Sequence, residues 1–525
     1  MAAAHENWTP ERSAAGDRSI WLIASIVSLA TFMEVLDISI ANVSLNHIAG
    51  SLSAGLDEST WVLTSYLMAN AVAVPISGWL SNVVGRKRFY MLSVALFSVS
   101  SLLCGLAPNL TFLIIARVLQ GIGGGGLAPS EQSILTETFP PDKRGGAFAL
   151  YGLTVIAAPI LGPSLGGVIT DNVGWHWIFL INVPVGLLSL YLVHAFVVDP
   201  PKLEEERQAR LKDGLKVDWP GIVFLILWMG CLEYVLDRGQ REDWLASGWI
   251  TGALIVSITS CIGLWLWEWD RDEPVFNVRL GGISYAVSIL AMITTGAVVL
   301  GTTQIVPQFL QQVMGYSATE AGRAMTLGGL VTVAMLPFAG ALTGKVQPKY
   351  LMVFGLASEA FALWGFSALN SEASWWWLAG ARTWLAVGIP FLFIPINTAA
   401  YADIPPDKTA DASAQLNWAR NLGGSIAISV AQAMVEQRAQ WHQARLVEGL
   451  SPLSNGYNEW TRQIGEALGA GGDPATSMAV MYQEVVKQAQ VLAYVDLFLV
   501  LALVVGLITP LLLLMRKVDL SAPPA

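Results

Sequence analysis

The sequence predicts an all-α integral membrane protein, and three of its properties support that fold class. Hydrophobic residues make up 54% of the 525 positions, whereas only 13% are charged. The mean hydropathy is +0.54. Apolar runs also recur at about the 20 residues that a helix needs to cross the hydrocarbon core of a bilayer. A chain of this composition cannot hide its apolar surface inside soluble domains, so we expect lipid to be its solvent.

Fourteen apolar runs are long enough to be transmembrane helices. In chain order, the predicted spans are 20–42, 60–82, 89–107, 110–132, 146–170, 177–198, 218–237, 248–268, 284–310, 320–344, 349–369, 374–400, 411–435 and 490–515. The first nineteen residues are polar and lack the short apolar core and small-residue cleavage site of a signal peptide. We therefore expect the first span to be retained.

The distribution of basic residues predicts the orientation of these spans. Lys and Arg concentrate on one side, in the clusters 86–88, 143–144 and 202–216, whereas the short loops opposite hold Arg238 and Arg241. Cytoplasmic loops carry the excess of Lys and Arg. Both termini are therefore predicted to be cytoplasmic, which agrees with an even number of spans, and the polar segment 436–489 is predicted to lie outside.

An internal repeat divides the chain into two halves. Ala-Arg-x-x-x-x-x-Gly at 116–123 recurs at 381–388, and Phe-Pro-Pro-Asp-Lys-Arg-Gly-Gly-Ala at 139–147 recurs in altered form at 404–412, both displaced by 265 residues. The common offset pairs the first six spans with the last six, in the same orientation. Parallel halves of this kind place a substrate site at their interface, near the bilayer midplane.

The repeat and the composition predict five regions. They are a cytoplasmic tail at 1–19, a six-helix bundle at 20–198, a cytoplasmic linker with two inserted transmembrane helices at 199–283, a second six-helix bundle at 284–515 that includes the external segment, and a cytoplasmic tail at 516–525.

Several function classes are excluded or disfavoured. The net charge of −10 argues against nucleic-acid binding, and three cysteines inside apolar runs support neither a disulfide framework nor a metal cluster. The chain contains no Gly-x-x-x-x-Gly-Lys-Ser/Thr phosphate loop, which disfavours an ATP-driven pump. Gly-Pro-Ser-Leu-Gly at 162–166 matches a hydrolase pattern but lies within a predicted apolar helix, so we expect no enzyme, no metal and no cofactor.

Five segments carry a family resemblance. They are Leu-Asp-Ile-Ser-Ile-Ala-Asn at 36–42, Gly-Trp-Leu-Ser-Asn-Val-Val-Gly-Arg-Lys-Arg at 78–88, Arg-Val-Leu-Gln-Gly at 117–121, Gly-Pro-Ser-Leu-Gly-Gly at 162–167 and Trp-Ile-Phe-Leu-Ile-Asn-Val-Pro-Val-Gly at 177–186. Over essentially the whole chain, the sequence resembles the major facilitator superfamily, specifically its fourteen-helix drug:proton antiporters of the EmrB/QacA type. The loop at 236–244 and the long external segment make the EmrB side the nearest match.

This resemblance implies a function, a location and partners. Such proteins are driven by the proton gradient, reside in the bacterial inner membrane, and export small hydrophobic compounds with a periplasmic adaptor of the EmrA type and an outer-membrane channel. It also implies that one set of residues controls conformational change, namely Gly78, Asn82, Gly85, Arg86, Pro159, Gly162, Pro163, Gly166 and Gly167. Two departures from the family pattern are Asn82, where an aspartate is usual and helps to hold a latch, and Ala158, where a glycine is usual.

Ionisable side chains inside the predicted spans are candidates for proton coupling, because each costs about 3 kcal/mol or more in a membrane. Glu34 and Asp37 share a face of the first span, and Arg117 lies at the depth of Asp37 in the fourth. Glu359 and Arg382 form a similar candidate pair in the second half. Each pair is either a site where proton and substrate compete or a permanent structural bridge.

Other polar residues complete the candidate set. The predicted substrate contacts are Asn42, Gln120, Asn397, Asn417 and Arg420. Glu131, Glu233 and Asp237 lie near predicted helix ends and are expected to be interfacial. The glycines at 162–167 are expected to pack the two halves together on the outer side.

Two rival functions remain open at this stage. The same carboxylates suit proton-coupled uptake of a small metabolite, and a transporter-like sensor needs no transport at all.

Overall fold

The computed structural model describes residues 19–199, 204–205, 207–208, 217–271, 274–343, 345–370, 372–402, 404–405, 408–448, 450, 457–460, 462–463 and 474–517. Most of the predicted tails, much of the basic stretch 202–216 and parts of segment 436–489 lie outside these residues. Every regular element of the described ranges is helical.

The long helices of the described residues are labelled α1 to α14. They are α1 Ile20–Ser51, α2 Trp61–Val84, α3 Arg86–Gly105, α4 Leu110–Thr138, α5 Pro141–Asn172, α6 His176–Phe196, α7 Trp219–Arg238, α8 Gly248–Glu268, α9 Ile283–Val313, α10 Ala318–Thr343, α11 Pro348–Ser367, α12 Trp375–Ala400, α13 Thr409–Glu448 and α14 Pro474–Ile508. α4 is interrupted at Gly125, α6 at Ile181 and α12 at Ile389.

Twelve of these helices are long and apolar enough to cross a membrane. The two others are α5, several of whose side chains lie outside the described residues, and α13, which is more polar along its length. Both pack against the opposite half of the protein, α5 on α10 and α13 on α2, so part of their surface faces protein. A helix surrounded by protein can carry polar groups that lipid would not tolerate. The predicted number of fourteen membrane crossings stays a prediction.

Apolar side chains form separate cores in the two halves of the chain. α1 to α6 bury two clusters, represented by Phe97 and Phe179, and α9 to α14 bury a larger one around Phe309 and Phe498. α7 and α8 pack against each other and reach α2 through a fourth, smaller cluster.

The two halves approach most closely at one end of the molecule. A Cβ on Gly78 of α2 would lie 2.9 Å from the Asp411 Cα of α13, and one on Gly145 of α5 would lie 3.0 Å from the Gly340 carbonyl oxygen of α10. These positions adjoin the basic connections that the sequence predicts to be cytoplasmic. The protein is therefore closed at that end.

The glycines of α5 do not pack between the halves as expected. A Cβ on Gly162 would overlap the Ser39 side chain, and one on Gly166 would lie 3.1 Å from Ile40, so both positions pack on α1 of the same half. A Cβ on Gly167 would have no neighbour within 4 Å. The expectation was wrong because α1 and α5 run together over most of their length. The side chain of Pro163 lies outside the described residues.

Candidate functional site

Asp37 lies at the centre of a buried polar network in the first half. Arg117 donates from Nη1 to Asp37 Oδ2 at 2.6 Å. Gln120 Nε2 and Asn182 Nδ2 donate to Asp37 Oδ1 at 3.0 Å and 2.7 Å. All four side chains are buried. The network joins α1, α4 and α6, and each donor matches a carboxylate lone pair.

Arg117 is also held by contacts other than Asp37. Its Nε donates to the Val62 carbonyl oxygen at 2.9 Å, and its guanidinium lies 4.2 Å from the Tyr66 ring centroid and 5.5 Å from that of Phe179. Stacking on aromatic faces suits a guanidinium that is cut off from water. The cation is therefore positioned by α2 and α6 as well as by its carboxylate partner.

Glu34 has a different environment, one turn away on the same face of α1. Its Oε1 accepts from Asn70 Nδ2 at 3.2 Å and from Tyr66 Oη at 3.5 Å. Its Oε2 is buried and has no hydrogen-bond partner. Glu34 therefore keeps an open acceptor, whereas Asp37 has every oxygen engaged.

A second polar network crosses between the halves. Tyr151 of α5 donates to Asn417 Oδ1 at 3.1 Å and accepts from Arg420 Nη1 at 3.1 Å, both on α13. Asn417 Nδ2 donates to Gln132 Oε1 of α4 at 3.0 Å. Asn421 Nδ2 lies 3.5 Å from Asn70 Oδ1, which connects this network to Glu34.

The predicted substrate contacts fall in four different places. Asn417 and Arg420 lie at the interface between the halves, as just described. Gln120 lies inside the first half as a partner of Asp37. Asn397 is fully buried and donates to the Phe393 carbonyl oxygen of its own helix, while Asn42 is exposed. Only two of the five are thus placed where the halves meet.

The expected Glu359–Arg382 contact is not formed. Both side chains are buried, yet neither oxygen of Glu359 has a hydrogen-bond partner, and the same is true of Nε and Nη1 of Arg382. Glu359 instead packs against Gly388, where an added Cβ would lie 3.0 Å from its Cγ. Gly388 is about 9 Å further along α12 than Arg382, at about 1.5 Å per residue. Depth estimated from helix ends placed the two side chains near enough for their charges to attract each other, but not in hydrogen-bond contact.

The loop between α2 and α3 joins the halves at the closed end. Asn82 Nδ2 donates to Asp411 Oδ1 of α13 at 3.1 Å. Arg86 forms an ion pair with Glu137 at the end of α4. Gly85 makes the turn with φ of +97°, a conformation that favours glycine. Asn82 thus forms a hydrogen bond between the halves, at the position where the loss of the usual aspartate put the strength of the latch in doubt.

Glu131 is the functional candidate that the sequence interpretation missed. It was expected to be interfacial, but it is fully buried between α1 and α4, with Ser28 Oγ donating to its Oε1 at 2.5 Å. Glu233 is also mostly buried and accepts from Ser425 Oγ at 2.9 Å. Distance from a helix end does not reveal which way a side chain faces. The glycine run just before Glu131, which allows close helix approach, was the signal available.

Comparison with known families decides what kind of protein this architecture is. A sequence model of the Major Facilitator Superfamily matches residues 27–428. The chain belongs to the major facilitator superfamily. The family and the membrane fold predicted from the sequence are therefore confirmed.

Several named relatives align over nearly the full length. The chain is 36% identical over 483 residues to the multidrug export protein EmrB of Haemophilus influenzae, covering 91% of this chain and 92% of the relative. It is 34% identical over 477 residues to EmrB of Escherichia coli, covering 90% of each. It is 31% identical over 480 residues to the fatty acid resistance protein FarB of Neisseria gonorrhoeae, covering 91% and 92%.

Solved structures share the fold at low sequence identity. The proton:xylose symporter XylE superposes with a TM-score of 0.61 at 14% identity, covering 96% of this chain and 97% of the symporter. The human organic anion transporter MFSD10 superposes with a TM-score of 0.59 at 12% identity, covering 93% and 100%. The apolar helices and the EmrB relatives identify a multi-pass protein of the bacterial inner membrane.

Proposed function

We propose that this protein is a proton-coupled antiporter that exports small, mostly hydrophobic toxic compounds from the cytoplasm or the inner leaflet. The observation that carries the proposal is the pair of buried carboxylates on one face of α1. Asp37 is locked to Arg117, whereas Glu34 has a free oxygen and is linked through Asn70 to the interface between the halves. The export proteins among the relatives support the direction of transport.

The geometry suggests how proton and substrate compete. The Arg420 charge of α13 attracts the Glu34 carboxylate across the interface. Protonation of Glu34 removes that attraction, so the second half is held less firmly. A substrate that displaces the proton restores the charge. Each ligand then biases the same two-state equilibrium, as an exchanger requires.

The predicted orientation in the membrane indicates towards which side the structure is closed. We place both termini and the closed ends of α2, α5, α10 and α13 in the cytoplasm, following the basic residues. The structure is then closed towards the cytoplasm. We expect the α1 carboxylates, which are buried here, to take up protons when the protein opens to the outer side, which suits proton entry driven by the gradient.

A periplasmic adaptor and an outer-membrane channel complete the proposal. α13 continues to Glu448 and α14 begins at Pro474, so both extend beyond the predicted spans. Arg438 and His442 of the α13 extension contact Asp496 of α14 at 2.6 Å and 2.8 Å, and Gln443 Nε2 donates to Tyr482 Oη of the α14 extension at 3.4 Å, which ties the two extensions together. Trp441 and Tyr482 are exposed on them and offer an apolar surface to a partner.

Deletion of 450–480 tests the adaptor. We expect proton-coupled transport to persist in membrane vesicles, while resistance in cells is lost because exported compound no longer reaches the outer-membrane channel. Loss of both activities would show that the segment supports the fold instead. Part of this segment lies outside the described residues.

Transport in two vesicle orientations tests the main proposal. Inverted vesicles energised by respiration should accumulate tetraphenylphosphonium, and an uncoupler should abolish the accumulation. Uptake in right-side-out vesicles only would assign symport. Purified protein in weak buffer should also release protons when tetraphenylphosphonium is added. Proteoliposomes that move no compound of any class would assign a sensor.

A further inference from the structure

Polar residues recur along α1 at intervals of three. They are Ser28, Thr31, Glu34 and Asp37, and all four are buried. Residues three apart on a helix are neighbours on its surface, and each step of three turns by about 60° around the axis. α1 therefore carries a polar line that winds around the helix from the Asp37 network towards the closed end of the molecule.

Glu131 of α4 contacts this line at Ser28, its end nearer the closed end of the molecule. Its Oε1 accepts from Ser28 Oγ at 2.5 Å, and Thr31 lies beside its carboxylate. The Ser130 hydroxyl and Glu34 Oε2 are buried without a hydrogen-bond partner, and Glu131 Oε2 and the Thr31 hydroxyl have no partner apart from each other. Native proteins rarely leave such atoms unsatisfied, and a cluster of them marks a place for water or for a proton that moves.

No cation compensates Glu131 among the described residues that face it. The titratable groups that interact with it are Tyr90 of α3 and Tyr151 of α5. Arg420 reaches Tyr151 and attracts Glu34, but it forms no ion pair with Glu131. A structural ion pair accounts for the burial of Asp37, which is bound to Arg117. It does not account for the burial of Glu131. A carboxyl buried in neutral surroundings is costly unless it binds a proton for part of its working cycle.

We propose that Glu131 is a second proton-binding group and that the Ser28–Thr31 face carries the coupling proton between Glu34 and Glu131. This inference rests on the proposed function. From Glu34, the O–H bond of the carboxylic acid breaks and the proton passes to a hydroxyl or a water. That carrier passes its own proton to the Glu131 carboxylate, where a new O–H bond forms. Glu34 becomes a carboxylate, and charge is conserved.

The spacing requires an intermediate carrier. Six residues separate Ser28 from Glu34, which is about 9 Å along the axis at about 1.5 Å per residue. That exceeds a single hydrogen bond, and Thr31 lies at the midpoint. From Glu131, seven residues remain to the end of α4 at Thr138. The line thus leads from the carboxylates of the exchange site towards the end that we place in the cytoplasm.

Glu131→Gln is the decisive variant because it keeps the shape and the acceptor for Ser28 while it removes the titratable group. Glu131→Asp restores a carboxyl. Glu233→Gln is a matched control, because Glu233 is also buried and also accepts from a serine hydroxyl, but it lies on α7 away from the line. Each variant is reconstituted at full length and assayed for tetraphenylphosphonium binding, for substrate–substrate exchange, and for proton-driven accumulation across a range of pH.

We expect Glu131→Gln to bind and exchange normally but to lose proton-driven accumulation by about a hundredfold, the lower end of what one positioned proton-transfer group contributes. Glu131→Asp should recover part of the rate, and Glu233→Gln should match the wild type. Unchanged accumulation and pH profile in Glu131→Gln overturn the inference. Equal loss of binding, exchange and accumulation also overturns it, since it indicates a structural role. A wild-type protein that drives no accumulation refutes the proposed function instead.

Discussion

Asp37 and Glu34 are chemically alike but are bound in different ways. Three donors, one of them the Arg117 cation, engage both oxygens of Asp37. Glu34 has two neutral donors on one oxygen and none on the other. Asp37 is thus suited to hold Arg117 in place, and Glu34 is suited to exchange a proton. We therefore propose that Asp37 and Glu34 share the coupling function, which stays a prediction for both.

Asp37→Asn tests the anchoring part. The amide keeps the shape and one acceptor but leaves the buried Arg117 charge uncompensated, so we expect a destabilisation of about 3 kcal/mol, the low end for removing one partner of a buried pair. Folding should survive, proton-driven export should fail, and binding of a neutral drug should persist. Thermal unfolding and vesicle transport check these outcomes. A variant that exports against a gradient with an unchanged pH profile would remove Asp37 from the mechanism.

Glu34→Gln tests the exchange part. The amide cannot release a proton, so the Arg420 attraction stays absent at every pH. We expect drug binding to become independent of pH between about 5 and 8 and accumulation to be lost, while substrate–substrate exchange continues. Binding titrations at several pH values measure this. If binding to the Glu34→Gln variant keeps the wild-type pH dependence, the exchanging carboxyl is elsewhere.

At the scale of helices, the contact between α1 and α5 determines where the polar residues lie. Gly162 and Gly166 let α5 approach α1 closely at Ser39 and Ile40. Asp37 is only two residues before Ser39, so the spacing of these helices fixes the depth and direction of the carboxylate. The glycine motif therefore supports the site from within one half and does not act as a seal between halves.

Gly162→Leu tests this contact. The side chain would collide with Ser39, and overpacking of this kind costs about 1–3 kcal/mol. We expect a lower unfolding temperature and loss of coupled export. Gly167→Leu is the control, because a Cβ there meets nothing within 4 Å. Equal effects of the two substitutions would show that helix propensity or membrane insertion is responsible, and not the contact with α1.

Hydropathy located the helices well but not their full extent. The predicted span 248–268 coincides with α8 Gly248–Glu268, whereas the span 411–435 corresponds to α13, which continues to Glu448. A polar extension stays helical by packing on a neighbouring helix, as Arg438 does on Asp496. The sequence has no apolar run there from which the extension could be predicted. Depth along the helix paired Asp37 with Arg117 but misjudged Glu131 and Glu359. Sequence position gives height in the membrane, while the facing direction depends on how helices pack.

At the scale of the whole molecule, one set of contacts separates the two access states. Gly78 and Asn82 of α2 meet α13 at Asp411, and Gly145 of α5 meets Gly340 of α10. An alternating carrier must break these contacts to open towards the cytoplasm. Asn82 supplies a neutral hydrogen bond here, which adds a modest stabilisation to the close backbone packing and to the hydrogen bonds that Tyr151 and Gln132 form with α13.

A reversible cross-link across α2 and α13 tests whether these contacts break during transport. A Cβ on Gly78 would lie 3.1 Å from the Ala414 Cβ, somewhat closer than the roughly 3.5–4.5 Å that a disulfide spans. We expect the double variant Gly78→Cys with Ala414→Cys, in a background without Cys104, Cys231 and Cys261, to oxidise after α2 and α13 have moved apart slightly. Oxidised protein should bind tetraphenylphosphonium from the outer side alone and export none, and reduction should restore export. The single variants control for the substitutions themselves. Full export by the oxidised protein would mean that α2 and α13 stay together throughout the cycle, and the opening would then have to occur between α5 and α10.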